Sequence, residues 1–214
     1  MTSAVEPAGD VAARLLGTPA TAGLLDRVAA GDVVLVGGLA RSGKSTLAAE
    51  VASRLAARGL AACTLSMDRW IVPAAERRGG GVEQRYDTGL MARTLAPWLV
   101  DGRSLLVRLP VYERDTRTRG EEPLPFDLPA DAVLVLEGVL ALLPGVGVGR
   151  RRAHRVYVRA DEAARRQRVI DDLVARGVAP PDQARLIYEE RERDESPVVR
   201  ATQSTAEVVV CSDA

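Results

Sequence analysis

Histidine, lysine and cysteine are scarce in this chain of 214 residues, and each scarcity removes a class of chemistry. The one histidine, His154, follows Arg150, Arg151 and Arg152 just ahead of an apolar run, where a place at the surface or at the start of a strand is expected. A Ser-His-Asp triad or a histidine-rich metal site needs imidazole at a credible position. Any general base must therefore be a carboxylate. Cysteine occurs only as Cys63 and Cys211, each in a short apolar stretch that reads as a buried strand, as free thiols in a reducing compartment do. No apolar stretch is long enough to span a bilayer, and Met1–Gly9 lacks the basic start and apolar run of a signal peptide. A cytoplasmic, soluble protein without a membrane partner is expected. Net charge is lacking too, with 29 basic residues against 29 acidic ones. Without a bulk field to draw it to a polyanion, nucleic acid is not an expected partner.

The length suits one domain with a substantial core. Val33 to Val36 is an apolar run ending in Gly37 and Gly38, and Leu47 to Ala57 is made of helix formers, giving strand, glycine loop and helix. Further strand candidates are Ala62 to Ser66, Leu105 to Leu109, Val133 to Glu137, Arg155 to Val158 and Glu207 to Cys211. Helical stretches are expected around 22–30, 89–100 and 161–176. Strands alternating with helices imply an α/β fold with a mainly parallel sheet covered on both faces. Residues 1–20 read as a loosely held tail and 21–214 as the single domain. Two segments, about 70–87 with Arg77, Arg78 and a glycine run, and about 112–129, charged and then proline-rich, read as mobile loops over a site. A charge-dense helical stretch at about 160–196, broken between Gly177 and Pro181, reads as a solvated hairpin or a lid.

The strongest motif is Gly38-Leu39-Ala40-Arg41-Ser42-Gly43-Lys44-Ser45-Thr46, a Walker A phosphate loop set between a strand and a helix. Glycine lets the backbone N–H groups turn inward around phosphates, and the following helix points its positive end at them. Gly38, Ala40, Arg41, Ser42, Gly43, Lys44, Ser45 and Thr46 are thus the expected nucleotide-binding residues. Lys44 would reach the terminal phosphates, and Ser45 would give an oxygen to magnesium. Lys44 is also the only lysine in the chain. A compact ammonium has been kept where a planar guanidinium would not do the same work.

In open parallel sheets the ligand lies beyond the carboxyl ends of the strands, so acids there merit inspection. Asp68 follows the strand 62–66, and could take a proton from an acceptor hydroxyl or simply cap a turn. Glu137 closes the run Val133 to Leu136, and could meet magnesium or simply an arginine. Arg165, Arg166 and Arg168 lie on the helix starting near Asp161, at spacings that put at least two on one face, suited to stabilising transferred phosphoryl charge or to a wet surface.

Taken in order, the phosphate loop, Ser66-Met67-Asp68, Leu109-Pro110-Val111-Tyr112 through Arg119, Leu136-Glu137-Gly138-Val139-Leu140, and Val156-Tyr157-Val158 with the arginines that follow resemble the uridine kinase and phosphoribulokinase family. The resemblance spans residues 30 to 210. It implies a P-loop three-layer sandwich with a five-stranded parallel core and a helical lid. It also implies ATP or GTP with magnesium as donor, and a primary hydroxyl of a nucleoside or sugar-like alcohol as acceptor. By the same resemblance Asp68 is the general base, Tyr112 lines the acceptor pocket, Glu137 assists the metal, and Arg166 and Arg168 are the lid arginines. Asp171 stands where the family has one more arginine. The family's ribose-holding Asp-His-Pro-Asp stretch is matched only in part by Glu83-Gln84-Arg85-Tyr86-Asp87, which leaves Asp87 or Glu83 to take over beside Tyr86. Its base-contacting histidine falls near Arg117, and a guanidinium suits a carboxylate or phosphate better than a uracil edge.

Two other readings stay open. A nucleotide kinase would clamp an acceptor phosphate with arginines such as Arg77, Arg78 and Arg117, and a regulatory ATPase would act through a protein partner. A homo-oligomer is compatible with every one of these readings.

Overall fold

The computed structural model describes residues 18–77, 79, 81–113, 115–116, 118–147 and 149–212. The expected tail therefore lies almost wholly outside the described residues, as do Arg78 and Arg117.

The centre is a five-stranded sheet made of β1 (Val33–Gly37), β2 (Ala62–Ser66), β7 (Val133–Glu137), β8 (Ala153–Arg159) and β9 (Val208–Cys211). The strand order is β2-β7-β1-β8-β9, and every pairing is parallel. All residues of β1 and β7 are buried, as expected of central parallel strands covered on both faces. Side chains alternate between those faces. Val34 and Val36 pack with Leu24 and Leu25 of α1 (Pro19–Arg27) and with Leu47, Val51 and Leu55 of α2 (Lys44–Ala57). Val33 and Leu35 belong to the opposite cluster, with Met91, Leu95 and Trp98 of α3 (Thr88–Leu99). These are the three layers of an α/β sandwich.

Several expectations need correction. α1 starts at Pro19 rather than near Ala22, because Thr18 caps it by accepting from the Thr21 amide and a proline fits the first turn. Leu105–Leu109 is a strand, β3, but stands outside the central sheet and pairs antiparallel with β6 (Leu124–Leu128). The segment 112–129 is therefore not all loop, since it also holds β4 (Tyr112–Glu113) and β5 (Thr118–Arg119), which pair with each other. His154 stands at the start of a strand, as expected, and away from the surface. It is fully buried within β8, with Nε2 3.0 Å from Asp32 Oδ2. Cys63 and Cys211 are only half-buried, since β2 and β9 are the two edges of the sheet.

The charge-dense stretch forms α4 (Glu162–Ala175), α5 (Pro181–Asp194) and α6 (Ser196–Ala201). Val169, Ile170 and Leu173 of α4 pack against Ala184 and Tyr188 of α5 in a small core of their own. The hairpin is thus a satellite beside the sheet. Among the described residues no helix is long and apolar enough to cross a membrane.

Candidate active site

The phosphate loop runs from the end of β1 to the start of α2. At Gly38 φ is +138°, and a Cβ there would sit 2.3 Å from the carbonyl oxygen of Val158 on β8. Only glycine lets the loop pass that close to the neighbouring strand. Gly43 adopts φ +94° immediately before the helix. Arg41, at φ 62°, is the only non-glycine residue with positive φ among the described residues. A left-handed non-glycine residue costs on the order of 1–2 kcal/mol, so such strain persists where surrounding contacts hold it. Here the holding contacts come from α4: the Arg41 guanidinium pairs with Asp172, and Arg168 Nη1 donates to the Arg41 carbonyl at 3.1 Å.

Lys44 opens α2 and is buried, with Nζ donating to the Leu39 carbonyl at 2.7 Å, so the ammonium is folded across the loop it belongs to. Ser42 Oγ is buried and has no hydrogen-bond partner among the described residues. Ser45, next along the helix, is exposed at the cavity wall.

Beyond the carboxyl ends of β2 and β7 the chain places two acids. Ser66 and Glu137 stand side by side in register, and Val36, two residues before the loop, is Glu137's partner on the other side. Asp68 lies two residues past Ser66 in a short 3-10 turn, Met67–Trp70, whose cap is the Ser66 hydroxyl accepting from the Asp68 amide at 3.3 Å. The capping role is taken by Ser66, which leaves the Asp68 carboxylate to face inward. The Tyr86 hydroxyl donates to Asp68 Oδ1 at 3.4 Å. Burial, then the nearby carboxylates of Asp68, Glu195 and Glu137, hold the Tyr86 phenol well above its ordinary range, so it remains a proton donor.

One cavity of about 610 Å³ takes in Ala40, Arg41, Gly43, Lys44, Ser45 and Thr46 of the loop together with Asp68, Tyr86, Tyr112, Glu137 and Arg168. That volume suits a small ligand. Gly38 and Ser42 belong to the loop but not to the cavity wall. Two residues expected at the site stand elsewhere. Asp87 is the N-cap of α3, with Oδ1 accepting from the Leu90 amide at 2.7 Å, and does not line the cavity. Arg166 is exposed and lies over the Tyr188 ring at 5.7 Å, away from the cavity wall. Its neighbour Arg165 is buried against Glu162, Tyr188 and Glu192.

The cavity also includes residues the sequence reading did not select. Asp172 of α4, Arg176 at its C-cap, Arg191 of α5, and Arg85 and Glu195 beyond the phosphate loop all reach it. Asp172 is pulled two ways: burial raises its carboxyl, and bonds from Arg41 and Arg176 outweigh that and leave it below its ordinary value. Arg168, Asp172 and Arg176 recur at four-residue intervals, so one helix face presents all three, and that spacing was the available signal.

The donor set suits magnesium carried by a nucleotide. It offers hydroxyl and carboxylate oxygens at Ser45, Glu137 and Asp68, beside the Lys44 ammonium. Among the described residues there is no group of three or more histidine, cysteine or acidic side chains poised to hold a metal unaided. An ion held partly by nucleotide phosphates needs no such group.

No protein-family model and no curated protein matches this sequence. Solved structures do. A proposed fructose transport system kinase from Silicibacter sp. TM1040 aligns over 93% of this chain and 98% of its own, at 20% identity and a TM-score of 0.64. A proposed uridine kinase from Bacillus stearothermophilus aligns over 91% and 96%, at 22% identity and a TM-score of 0.55. D-glycerate 3-kinase from Cryptococcus neoformans aligns over 92% and 89%, at 13% identity and a TM-score of 0.55. The chain has the α/β P-loop fold of these structures.

Proposed function

We propose that this chain is a phosphotransferase that moves the terminal phosphoryl group of ATP or GTP onto a hydroxyl of a small molecule, a nucleoside or sugar-like alcohol. The observation that carries the reading is the meeting of Lys44, Ser45, Asp68 and Glu137 around one cavity at the carboxyl ends of the strands. An anion cradle alone would serve any nucleotide-binding protein. A carboxylate oriented by a tyrosine hydroxyl, beyond β2, adds what transfer to an alcohol needs.

In this reaction the acceptor oxygen forms a bond to the terminal phosphorus as the bond to the bridging oxygen breaks, and the hydroxyl proton passes to Asp68. The Tyr86 hydroxyl holds the receiving carboxylate in place. Loop amides and the Lys44 ammonium stabilise the departing diphosphate, and the Arg168 guanidinium is in position to meet charge on the transferred group. Ser45 and Glu137 would hold a nucleotide-borne magnesium ion, whose contribution is to neutralise phosphate charge. The cavity wall formed by α4 and α5 would keep water from competing with the acceptor.

The test is Asp68→Asn, which keeps the shape and removes the base. Turnover should fall by about 10²- to 10⁴-fold, the usual worth of general base catalysis, while nucleotide protection against thermal unfolding persists. An Asp68→Asn enzyme with full activity would remove this residue from the chemistry and the reading with it.

A further inference from the structure

We infer that the acceptor carries a fixed negative charge, a carboxylate or phosphate beside its reactive hydroxyl, and that Arg77 with Arg85 receives it. This rests on the kinase reading above and names the substrate class of the same site.

Both arginines line the cavity that holds Asp68, Tyr86 and Tyr112. Both are fixed at one point of the backbone, Val72, whose amide donates to the Arg85 carbonyl at 2.8 Å and whose carbonyl accepts from Arg77 Nε at 2.9 Å. The second guanidinium is also held by its head, since Arg85 Nη1 donates at 3.0 Å to Oε2 of the buried Glu195. Arg77 is different: among the described residues no carboxylate lies within ion-pair distance of it, and its terminal nitrogens have no partner. A half-buried guanidinium anchored at Nε presents its two terminal nitrogens as a fork that matches a carboxylate or a phosphate.

What the wall lacks agrees with this. An amide side chain or a neutral imidazole donates and accepts together, and so suits a nucleobase edge. Among the described residues no histidine or glutamine lines the cavity, and the chain contains no asparagine at all. The polar groups near Asp68 are guanidinium, carboxylate and phenol.

The experiment compares initial rates on D-glycerate, ribose 5-phosphate, uridine and fructose with wild type, Arg77→Gln and Arg77→Lys, locating the phosphoryl group by mass spectrometry. One of the two anionic acceptors should be preferred, which also tells carboxylate from phosphate. For it, Arg77→Gln should raise KM by about 10- to 100-fold with the KM for ATP unchanged, the range for a hydrogen bond to a charged group, and Arg77→Lys should recover part of the loss. Preference for uridine or fructose, unaffected by Arg77→Gln, overturns the inference while leaving the kinase reading intact. A product phosphorylated on the anionic group itself overturns it as well. If nothing turns over although ATP binds, the kinase reading fails. Thermal shifts with D-glycerate and ribose 5-phosphate then decide the subsite, and no wild-type shift that Arg77→Gln abolishes would sink it.

Discussion

Arg41 in the phosphate loop and Asp172 in α4 form a salt bridge that ties the loop to the α4–α5 hairpin. The same aspartate bonds Arg176 at 3.2 Å, and Arg176 reaches Asp115, beside the β4–β5 strands, at 2.6 Å. The Asp172 carboxylate thus connects the phosphate loop, through Arg176, to the β4–β5 segment. It also steadies a residue whose backbone is left-handed.

Asp172→Asn should therefore act on nucleotide handling more than on the fold. The side chain removes one charge from a partly exposed pair, so stability should drop by no more than about 1 kcal/mol. The KM for ATP should rise by about tenfold as Arg41 loses its anchor and the loop samples other conformations. Steady-state kinetics beside a melting curve separate the two effects. An unchanged KM with a large loss of melting temperature would make Asp172 a structural residue only.

Gly38 and Gly43 both adopt positive φ, yet they should respond differently to alanine. A methyl at Gly38 meets a main-chain oxygen of β8 at 2.3 Å, so a central strand has to move. At Gly43 the nearest atom outside the loop is Ser212 Cβ at 3.6 Å, an ordinary contact, and only the backbone strain of about 1–3 kcal/mol remains. Gly38→Ala should lower the midpoint of denaturant unfolding more than Gly43→Ala and should abolish ATP-dependent protection. Equal midpoints for the two variants would show that the approach to Val158 is not tight in solution.

The phosphate loop was legible because its determinants are local: an apolar strand, glycines at fixed spacing and a helix within twenty residues. β3 was read as a strand, but its partner could not be read, because apolar content says nothing about which edge a strand will meet. Leu106 and Arg108 point out while Leu105 and Leu109 point in, an alternation that fits a half-covered antiparallel pair. Asp68 and Asp87 carry the same group near the same loop, and only the fold decides that one faces the cavity and the other caps α3. The arginines of α4 show the same limit. Helical spacing relates Arg165, Arg166 and Arg168 to one another, but the neighbours that make one buried, one exposed and one cavity-facing come from α5 and the phosphate loop.

The Arg165 cluster gives a prediction in acid. Glu162 accepts from Arg165 at 2.6 Å and from Arg200 at 2.9 Å, and Tyr188 also donates to it. Burial raises this carboxyl, but those bonds prevail and bring it down to about 2. A carboxyl depressed on folding contributes stability that is complete above its unfolded value of about 4.3 and is lost as the pH falls through the folded value. The α4–α5 hairpin should therefore loosen between about pH 4.5 and 2, with Arg165 left buried and underpaired. Because Glu162 is half-exposed, solvent screening keeps the effect modest. Glu162→Gln should melt lower than wild type at pH 7, and the gap should narrow steadily towards pH 2. Protease sensitivity of the segment 176–181 is a local readout of the same change, since that connection between α4 and α5 is released first if the cluster holds the hairpin closed. A constant gap between the two proteins from pH 7 to pH 2 would mean that the charge on Glu162 does not stabilise the hairpin.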